Sequence, residues 1–349
     1  MTYVRNAWYV AAWSRDLEVA KPFATSILGE PIVLWTSETG QLAALEDRCV
    51  HRLAPLSLGR CEGPHLRCMY HGLMFASDGQ VVEIPGQDIV PAQARVRAYP
   101  VIDRHDWIWI WMGEAGLADP ALIPPAIGLS DPDWILGHGQ LDYAAEARLI
   151  CDNLLDFSHL TFVHAASFGA GSEFAAHPPK ITPLDRGVRV TRWLPNPAGS
   201  PRNPSDVAME SYQSYDFLIP GILLMWSGNY PLGTAARLGA EAPALADAVS
   251  GLNFTSQAVT PMAAQTSRYF FSWGPHVRDG DLAKRDAMMT MAGAAFAEDK
   301  RMIEAQQRVI AATPDPRIMP IAHDKGITLY NRLVEKLATS QPENLESAA

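Results

Sequence analysis

A chain of 349 residues has room for about two domains at roughly 150 residues each, with ample core, which excludes a mini-protein held together by staples. Apolar residues make up 48% and charged residues 19%, with a formal net charge of -10. That balance folds as a globular protein and argues against a general nucleic-acid binder or a partner of anionic membranes, so an anionic small substrate needs local positive charge.

Four cysteines, Cys49, Cys61, Cys68 and Cys151, are too few and too clustered for a secreted disulfide framework. No uncharged apolar run reaches the ~20 residues of a membrane span, and the N-terminus lacks a leader's apolar stretch and cleavage site. The reading is a cytoplasmic protein with reduced thiols, without nucleic-acid or membrane partners.

In chain order, short apolar runs at 26–28, 32–35, 42–45, 81–84 and Trp107–Trp111 are separated by Gly29, Gly40, Gly59, Gly63 and Gly79, the texture of a small all-β unit. Trp107–Trp111 is apolar at every position, which predicts a strand covered on both faces. A proline-rich stretch at 120–132 reads as a linker, giving a first unit over 1–125 and a second over 126–349. In the second, 146–163 reads as one helix, 181–190, 225–230, 252–259 and 267–273 as strands, and 282–311 as a long helix. The fold class is α+β, an antiparallel sheet flanked by helices behind an all-β N-terminal unit. Segment 235–250 reads as mobile or surface chain, and the tail after 340 as disordered.

Two mixed ligand pairs occur in the first unit, Cys49-Val50-His51 and Cys68-Met69-Tyr70-His71. From chemistry alone, two Cys and two His fit structural zinc or a Rieske [2Fe-2S] cluster. Zinc fingers pair Cys with Cys and His with His, whereas one Cys and one His per loop is what a His-ligated cluster needs. Gly72 permits close backbone approach, and Tyr70 offers a donor. Cys61 and Cys151 carry no motif and read as packing thiols. Arg48, Arg52, Arg60 and Arg67 reverse the overall acidity locally and suggest a dock for an acidic ferredoxin-type domain.

In the second unit, Asn153, Asp156 and His159 are three residues apart, nearly on one helical face. His164 is five beyond His159, turned about 140° away in a regular helix, so a bend or helix end near Thr161 would bring both imidazoles to one ion. Oxygen-activating iron(II) takes two His and one carboxylate. Asp299 is the candidate, because Phe296, Asp299 and Ile303 share one helical stripe and a buried carboxylate needs a partner. Glu298, Lys300, Arg301 and Glu304 then read as the solvated side. Asp156 caps the turn or orients His159, and Asn153 stands beside the same metal or plays a plain capping role.

These motifs, with Asn6-Ala7-Trp8-Tyr9-Val10-Ala11-Ala12, Cys68 to Leu73 and Ile84-Pro85-Gly86-Gln87, resemble the oxygenase subunits of Rieske non-haem iron oxygenases, above all aromatic O-demethylases and methyl hydroxylases. The resemblance implies a Rieske cluster on Cys49, His51, Cys68 and His71, a mononuclear Fe(II) on His159, His164 and Asp299, and O2 as co-substrate. It implies that Asp156 bridges an iron histidine to a cluster histidine of a neighbouring subunit, so that a homotrimer works as a ring, with Asp156 and Asn153 as the candidate catalytic pair. Electrons come from a separate NAD(P)H-dependent reductase, with or without a ferredoxin, since the chain shows no nucleotide motif. The implied reaction is O-demethylation of a methoxylated aromatic acid with release of formaldehyde. Ring dioxygenation or diaryl-ether cleavage is the alternative, and a non-catalytic electron carrier the third reading. Ile219, Leu223, Met225, Trp226 and Phe254 are expected to supply pocket wall and core, with Gln257 where the dicamba-type enzyme carries a histidine.

Overall fold

The computed structural model describes residues 3–164, 167, 173–199, 203, 205–239 and 241–340. The expected disorder after 340 lies outside the described residues.

Trp107–Trp111 is the middle strand of a three-stranded antiparallel sheet, between Trp8–Trp13 and Val101–Arg104, and all five of its residues are buried. Trp8–Trp13 is also buried at all six positions. With no exposed face it has no alternation to read, and the sequence reading passed it over as an apolar patch. Phe23–Ile27, Glu30–Thr36 and Leu42–Glu46 form a second sheet, and Arg60–Glu62, His65–Arg67, Met74–Phe75 and Val81–Glu83 a third. The chain then crosses 112–136 without a strand, through the 3-10 turns Ala115–Leu117 and Pro120–Leu122.

Behind these stands one seven-stranded antiparallel sheet. Lys180–Leu184, Gly187–Asn196, Met209–Leu218, Ile222–Pro231, Ser250–Ala263 and Thr266–Pro275 run as a meander, and Gly137–Tyr143 closes the far edge against the last of them. The strand expected over 181–190 is thus a hairpin, turning at Asp185 and Arg186. Met209–Leu218 was not anticipated.

Helices Ala147–Leu155, Leu282–Ala312 and Lys325–Thr339 pack on one face of the sheet, in a core shared with Val190, Tyr215, Leu223, Tyr269 and Phe271. Side chains alternate across a strand, so Leu223 and Met225 turn to the helices. Ile222 and Leu224 join the opposite core, and Trp226 packs against it. The residues expected to supply pocket wall and core therefore divide between the two faces. Trp226 and Phe254 line a cavity of about 480 Å3 on the face away from the helices, and Ile219 packs in the helix-side core.

The N-terminal sheets lean on this sheet through main-chain and hydroxyl bonds: Thr260 Oγ1 donates to the Val10 carbonyl at 2.7 Å, and the Leu28 N–H to the Pro261 carbonyl at 2.8 Å. The described residues of segment 235–250 lie largely at the surface. Its end is tied down by Arg278, which donates to the Ala248 carbonyl at 2.9 Å. No described helix is long and apolar enough to cross a membrane.

Candidate metal centres

The two N-terminal ligand loops share one backbone plan. The Leu53 N–H donates to the Cys49 carbonyl (2.9 Å) and the Cys49 N–H to the Ala54 carbonyl (2.8 Å); the Gly72 N–H donates to the Cys68 carbonyl (2.9 Å) and the Cys68 N–H to the Leu73 carbonyl (2.8 Å). In both loops the fifth residue is left-handed, Leu53 at φ 58° and Gly72 at φ 79°. A Cβ on Gly72 would come within 2.8 Å of Pro85 Cγ, so glycine is required there on two counts. Arg67 fixes the second loop by donating to the Gly72 carbonyl at 2.7 Å.

This plan buries both cysteines and leaves His51 and His71 exposed, with their rings 4.5 Å apart. Burial pushes the Cys49 thiol up to about 11, the His51 and Arg52 N–H groups pull it down, and Cys68 hydrogen-bonds it. Two thiols in contact, backbone donors aimed at sulfur and two adjacent imidazoles suit a cluster with thiolates on one iron and imidazoles on the other. Desolvation, then His51 and Arg52, hold His71 below its ordinary value. The expected basic dock is largely neutralised. Arg48 pairs with Glu46, Arg60 with Glu62, and Arg67 with Glu62 and Glu83, which leaves Arg52 without an ion pair among the described residues.

The single helix expected over 146–163 is broken at Asp156, which is extended (φ -125°, ψ 101°) between Ala147–Leu155 and a 3-10 turn Phe157–His159, followed by Leu160–Val163. One break therefore precedes both histidines, and the helix end expected near Thr161 comes at Val163, which places His164 past it. Its cause is local: the Asp156 carboxylate accepts from the Ser158 N–H and hydroxyl, both at 2.8 Å, in competition with helix continuation. The Asp156 main-chain carbonyl, and not its carboxylate, takes His159 Nδ1 at 2.5 Å.

Asp299 lies on the buried stripe of Leu282–Ala312 with Met288, Ala292, Ala295, Ile303 and Gln307. The stripe faces the sheet, as the periodicity predicts. One carboxylate oxygen is 3.6 Å from His159 Nε2 and the other 3.2 Å from His164 Nε2; the three ligand atoms lie within 4.8 Å of one another. Asn153 Nδ2 donates to Asp299 Oδ1 at 3.2 Å and lies 3.4 Å from His159 Nε2. Both Nδ1 atoms are engaged elsewhere, so both Nε2 atoms face the carboxylate, the donor set of an iron(II) facial triad.

Burial holds His159 below the ordinary imidazole value, and Asp299 offsets part of this. For His164 burial acts in the same direction, but Asp299 and Glu298 outweigh it and hold the pKa above the ordinary value. Glu298 is a correction to the sequence reading. Its carboxylate accepts from His164 Nδ1 at 2.9 Å and from the Ser167 hydroxyl at 2.7 Å. Glu304 is not simply solvated either; it accepts from the Ala144 N–H at 2.9 Å, tying the long helix Leu282–Ala312 to the chain that leads into Ala147–Leu155. Cys61 is half-buried, Cys151 is buried in the core, and neither is bonded to another cysteine.

Residues 7–100 match the Rieske [2Fe-2S] domain, and residues 143–340 the C-terminal domain of vanillate O-demethylase oxygenase. The chain is 35% identical over 345 residues to the toluene-4-sulfonate monooxygenase system iron-sulfur subunit of Comamonas testosteroni, covering 97% of this chain and 98% of the relative. It is 31% identical over 355 residues to the vanillate O-demethylase oxygenase subunit of a Pseudomonas species, covering 99% and 98%. Among solved structures, dicamba monooxygenase bound to 3,6-dichlorosalicylic acid superposes with a TM-score of 0.86 at 28% identity, over 97% of this chain and 99% of that one. The same enzyme with non-heme iron and dicamba matches at a TM-score of 0.77.

Proposed function

The chain belongs to the Rieske oxygenase family of vanillate O-demethylase oxygenase subunits, and from that membership we propose that it demethylates a methoxylated aromatic acid. It is the oxygenase component of such a system, with a Rieske [2Fe-2S] cluster, a non-haem iron and electrons drawn from a separate reductase. The assignment of Cys49, His51, Cys68 and His71 to the cluster, and of His159, His164 and Asp299 to the iron, is part of the proposal, as is a division into a Rieske unit over 1–125 and a catalytic unit over 126–349.

The observation that carries the reading is the convergence of His159, His164 and Asp299 within 4.8 Å, from a broken turn and the long helix Leu282–Ala312 that packs on a sheet surface rich in apolar and aromatic side chains. When bound, ferrous iron fed by the cluster supplies reductive O2 activation. The reaction consumes O2, NAD(P)H and a proton and yields water. The other oxygen atom converts the O-methyl group to a hemiacetal, which releases formaldehyde and leaves a phenol. Leu223, Met225 and Phe271, turned to the helices, form the apolar wall that orients the ring.

Arg192 supports an acidic substrate. It lies on the same sheet face, is 7% exposed, and among the described residues its Nη1 has no hydrogen-bond partner. Such a group is the local positive charge that an anion requires in this acidic protein.

A ring of three subunits is supported by exposed apolar side chains around the cluster loops, Leu53 at 64%, Met69 at 53% and Tyr70 at 60%, and by a second patch at Ile318 and Met319, 75% and 79% exposed. Two unlike apolar patches on one chain suit a closed head-to-tail assembly.

The test is incubation with a panel of methoxybenzoates, a reductase and NADH, assayed for formaldehyde. Formaldehyde and phenol in equal amounts are expected, with about three irons per chain, two from the cluster and one mononuclear. A cis-dihydrodiol or an ether-cleavage product without formaldehyde would replace demethylation by the ring-attacking alternatives, and about two irons per chain would reduce the protein to an electron carrier.

A further inference from the structure

We infer that Glu298 is a positioning residue for the iron site: with Ser167 it locks His164 in the tautomer and orientation that present Nε2 to the metal. The inference rests on the assignment of His159, His164 and Asp299 as ligands and adds a fourth side chain to which nothing in the motif pattern points.

The geometry is specific to one of the two histidines. His164 is clamped between consecutive residues of one helix, with Asp299 Oδ2 3.2 Å from its Nε2 and Glu298 Oε2 2.9 Å from its Nδ1. The ring is 1% exposed, so water does not substitute for Glu298 at Nδ1. An acceptor there requires that Nδ1 carry the proton, which leaves the Nε2 lone pair free for a metal. His159 reaches the same tautomer by another route, through the neutral main-chain carbonyl of Asp156. One imidazole thus leans on a peptide group and the other on a full negative charge. The charged partner makes His164 the more strongly donating ligand and adds a second anion close to a site built for a dication. Ser167 completes the device from the chain just past His164. Its hydroxyl donates to the same Glu298 oxygen at 2.7 Å, which holds the carboxylate against the ring while leaving Oε1 free of this pair of bonds.

The test uses full-length protein with its Rieske cluster intact, stripped of mononuclear metal by a chelator and titrated with Co(II) as an oxygen-stable probe, read by the visible ligand-field bands and by equilibrium affinity. Wild type, Glu298→Ala, Glu298→Gln and Asp299→Ala are compared. Glu298→Ala should bind Co(II) roughly 10 to 100-fold more weakly, with shifted bands. Glu298→Gln keeps an acceptor oxygen without the charge, and should recover the wild-type band positions while retaining part of the affinity loss. A purely structural role would lower the melting temperature of the metal-free protein and leave both affinity and bands unmoved, which would overturn the inference. If Glu298→Ala does not fold, the glutamine variant decides alone: wild-type affinity in it, with the charge gone, refutes the charge contribution. Failure of the underlying site looks different, because then wild type itself binds no Co(II), or Asp299→Ala binds it as well as wild type does.

Discussion

Asp299→Asn removes the one anion from the three proposed iron ligands at nearly constant volume. Asn153, which donates to Asp299 Oδ1 at 3.2 Å, finds an oxygen acceptor in the new amide, so the helix contact is retained. Changes beside a ligand typically cost 10 to 100-fold in metal affinity. Loss of a charged ligand is at least the upper end of that range, about 100-fold or 2.8 kcal/mol at roughly 1.4 kcal/mol per tenfold. If free iron is held at about 100 times the wild-type dissociation constant, it stabilises the fold by about 2.7 kcal/mol; at a 100-fold weaker site the same iron contributes RT ln 2, about 0.4 kcal/mol. With roughly 2 to 4 °C per kcal/mol for a catalytic unit of this size, a chelator should lower the wild-type melting temperature by about 5 to 10 °C and that of the variant by about 1 °C. Comparing each protein with and without chelator cancels the separate cost of losing the carboxylate partner of His164. The visible spectrum of the Rieske cluster should be the same in both, since the two ligand sets share no residue. Full iron content and a wild-type chelator shift in Asp299→Asn would refute the carboxylate assignment.

His71→Cys should shift the cluster toward all-thiolate ligation and lower its potential by potentiometric titration, because thiolate donates more charge than imidazole. An unchanged potential and spectrum would remove His71 from the ligand set. Asp156→Asn keeps the turn cap, since asparagine caps as well as aspartate, and should leave cluster and iron in place while cluster reoxidation with substrate and O2 collapses in rapid mixing. Reoxidation at the wild-type rate would remove Asp156 from the electron route. Iron loading should fall as pH drops: Asp299 and Glu298 hold the pKa of His164 above the ordinary imidazole value, so its proton persists to higher pH than an ordinary imidazole's and competes with the metal there. In the chelated protein the same raised pKa works in the opposite sense, adding stability fully present below about 6.5 and lost as pH rises through the higher folded-state value. The expected outcome is that Glu298→Gln, which removes one of the two anions beside His164, moves the loading midpoint to lower pH at the same iron concentration; an unmoved midpoint would contradict the charged environment of His164.

The features legible in the sequence are those set by local chemistry. The Cys and His pairs, the buried Trp107–Trp111 strand and the long helix with Asp299 on its apolar stripe all follow from spacing or periodicity. What escaped depends on long-range contact or on burial that erases pattern. Trp8–Trp13 has no polar face to alternate with. The hairpin of Lys180–Leu184 and Gly187–Asn196 turns on only two residues, Asp185 and Arg186, within a run whose length suits a single strand. Lys325–Thr339 was missed although Ile327, Tyr330, Val334 and Leu337 carry a helical period and pack on the core. Glu298 is a different case. It is one residue, about 100° around the helix, from the apolar stripe, and only the arrival of His164 and Ser167 from another segment separates it from an ordinary solvated glutamate. Trp226 and Phe254 line a cavity, but on the opposite face of the sheet from Leu223 and Met225; apolar type alone does not say which face of a two-sided sheet a residue takes.

If Asp156 carries the bridge to a neighbouring subunit that the family resemblance implies, a local and a functional demand meet on one residue. Its main-chain carbonyl holds His159 Nδ1 and its carboxylate ends one helix and starts the next turn. An ionised carboxylate offers about four acceptor sites, and the Ser158 N–H and hydroxyl occupy one on each oxygen. Two sites remain for a partner from outside the chain, so the capping role does not compete with a bridge to a neighbouring cluster histidine. The cap in fact fixes the direction in which those free sites point, because both carboxylate oxygens are already tied to a residue within the same turn. A bridge built this way needs no separate device to aim it: the break that positions His159 for the metal also orients the carboxylate beside it, and displacing one displaces the other. Ser158→Ala should therefore act like a mild form of the Asp156 change, leaving iron bound through the intact carbonyl bond to His159 while slowing cluster reoxidation, as the carboxylate loses one of its two anchors. Equal losses of iron and of reoxidation rate in that variant would mean that the two roles of Asp156 are not separable in this way.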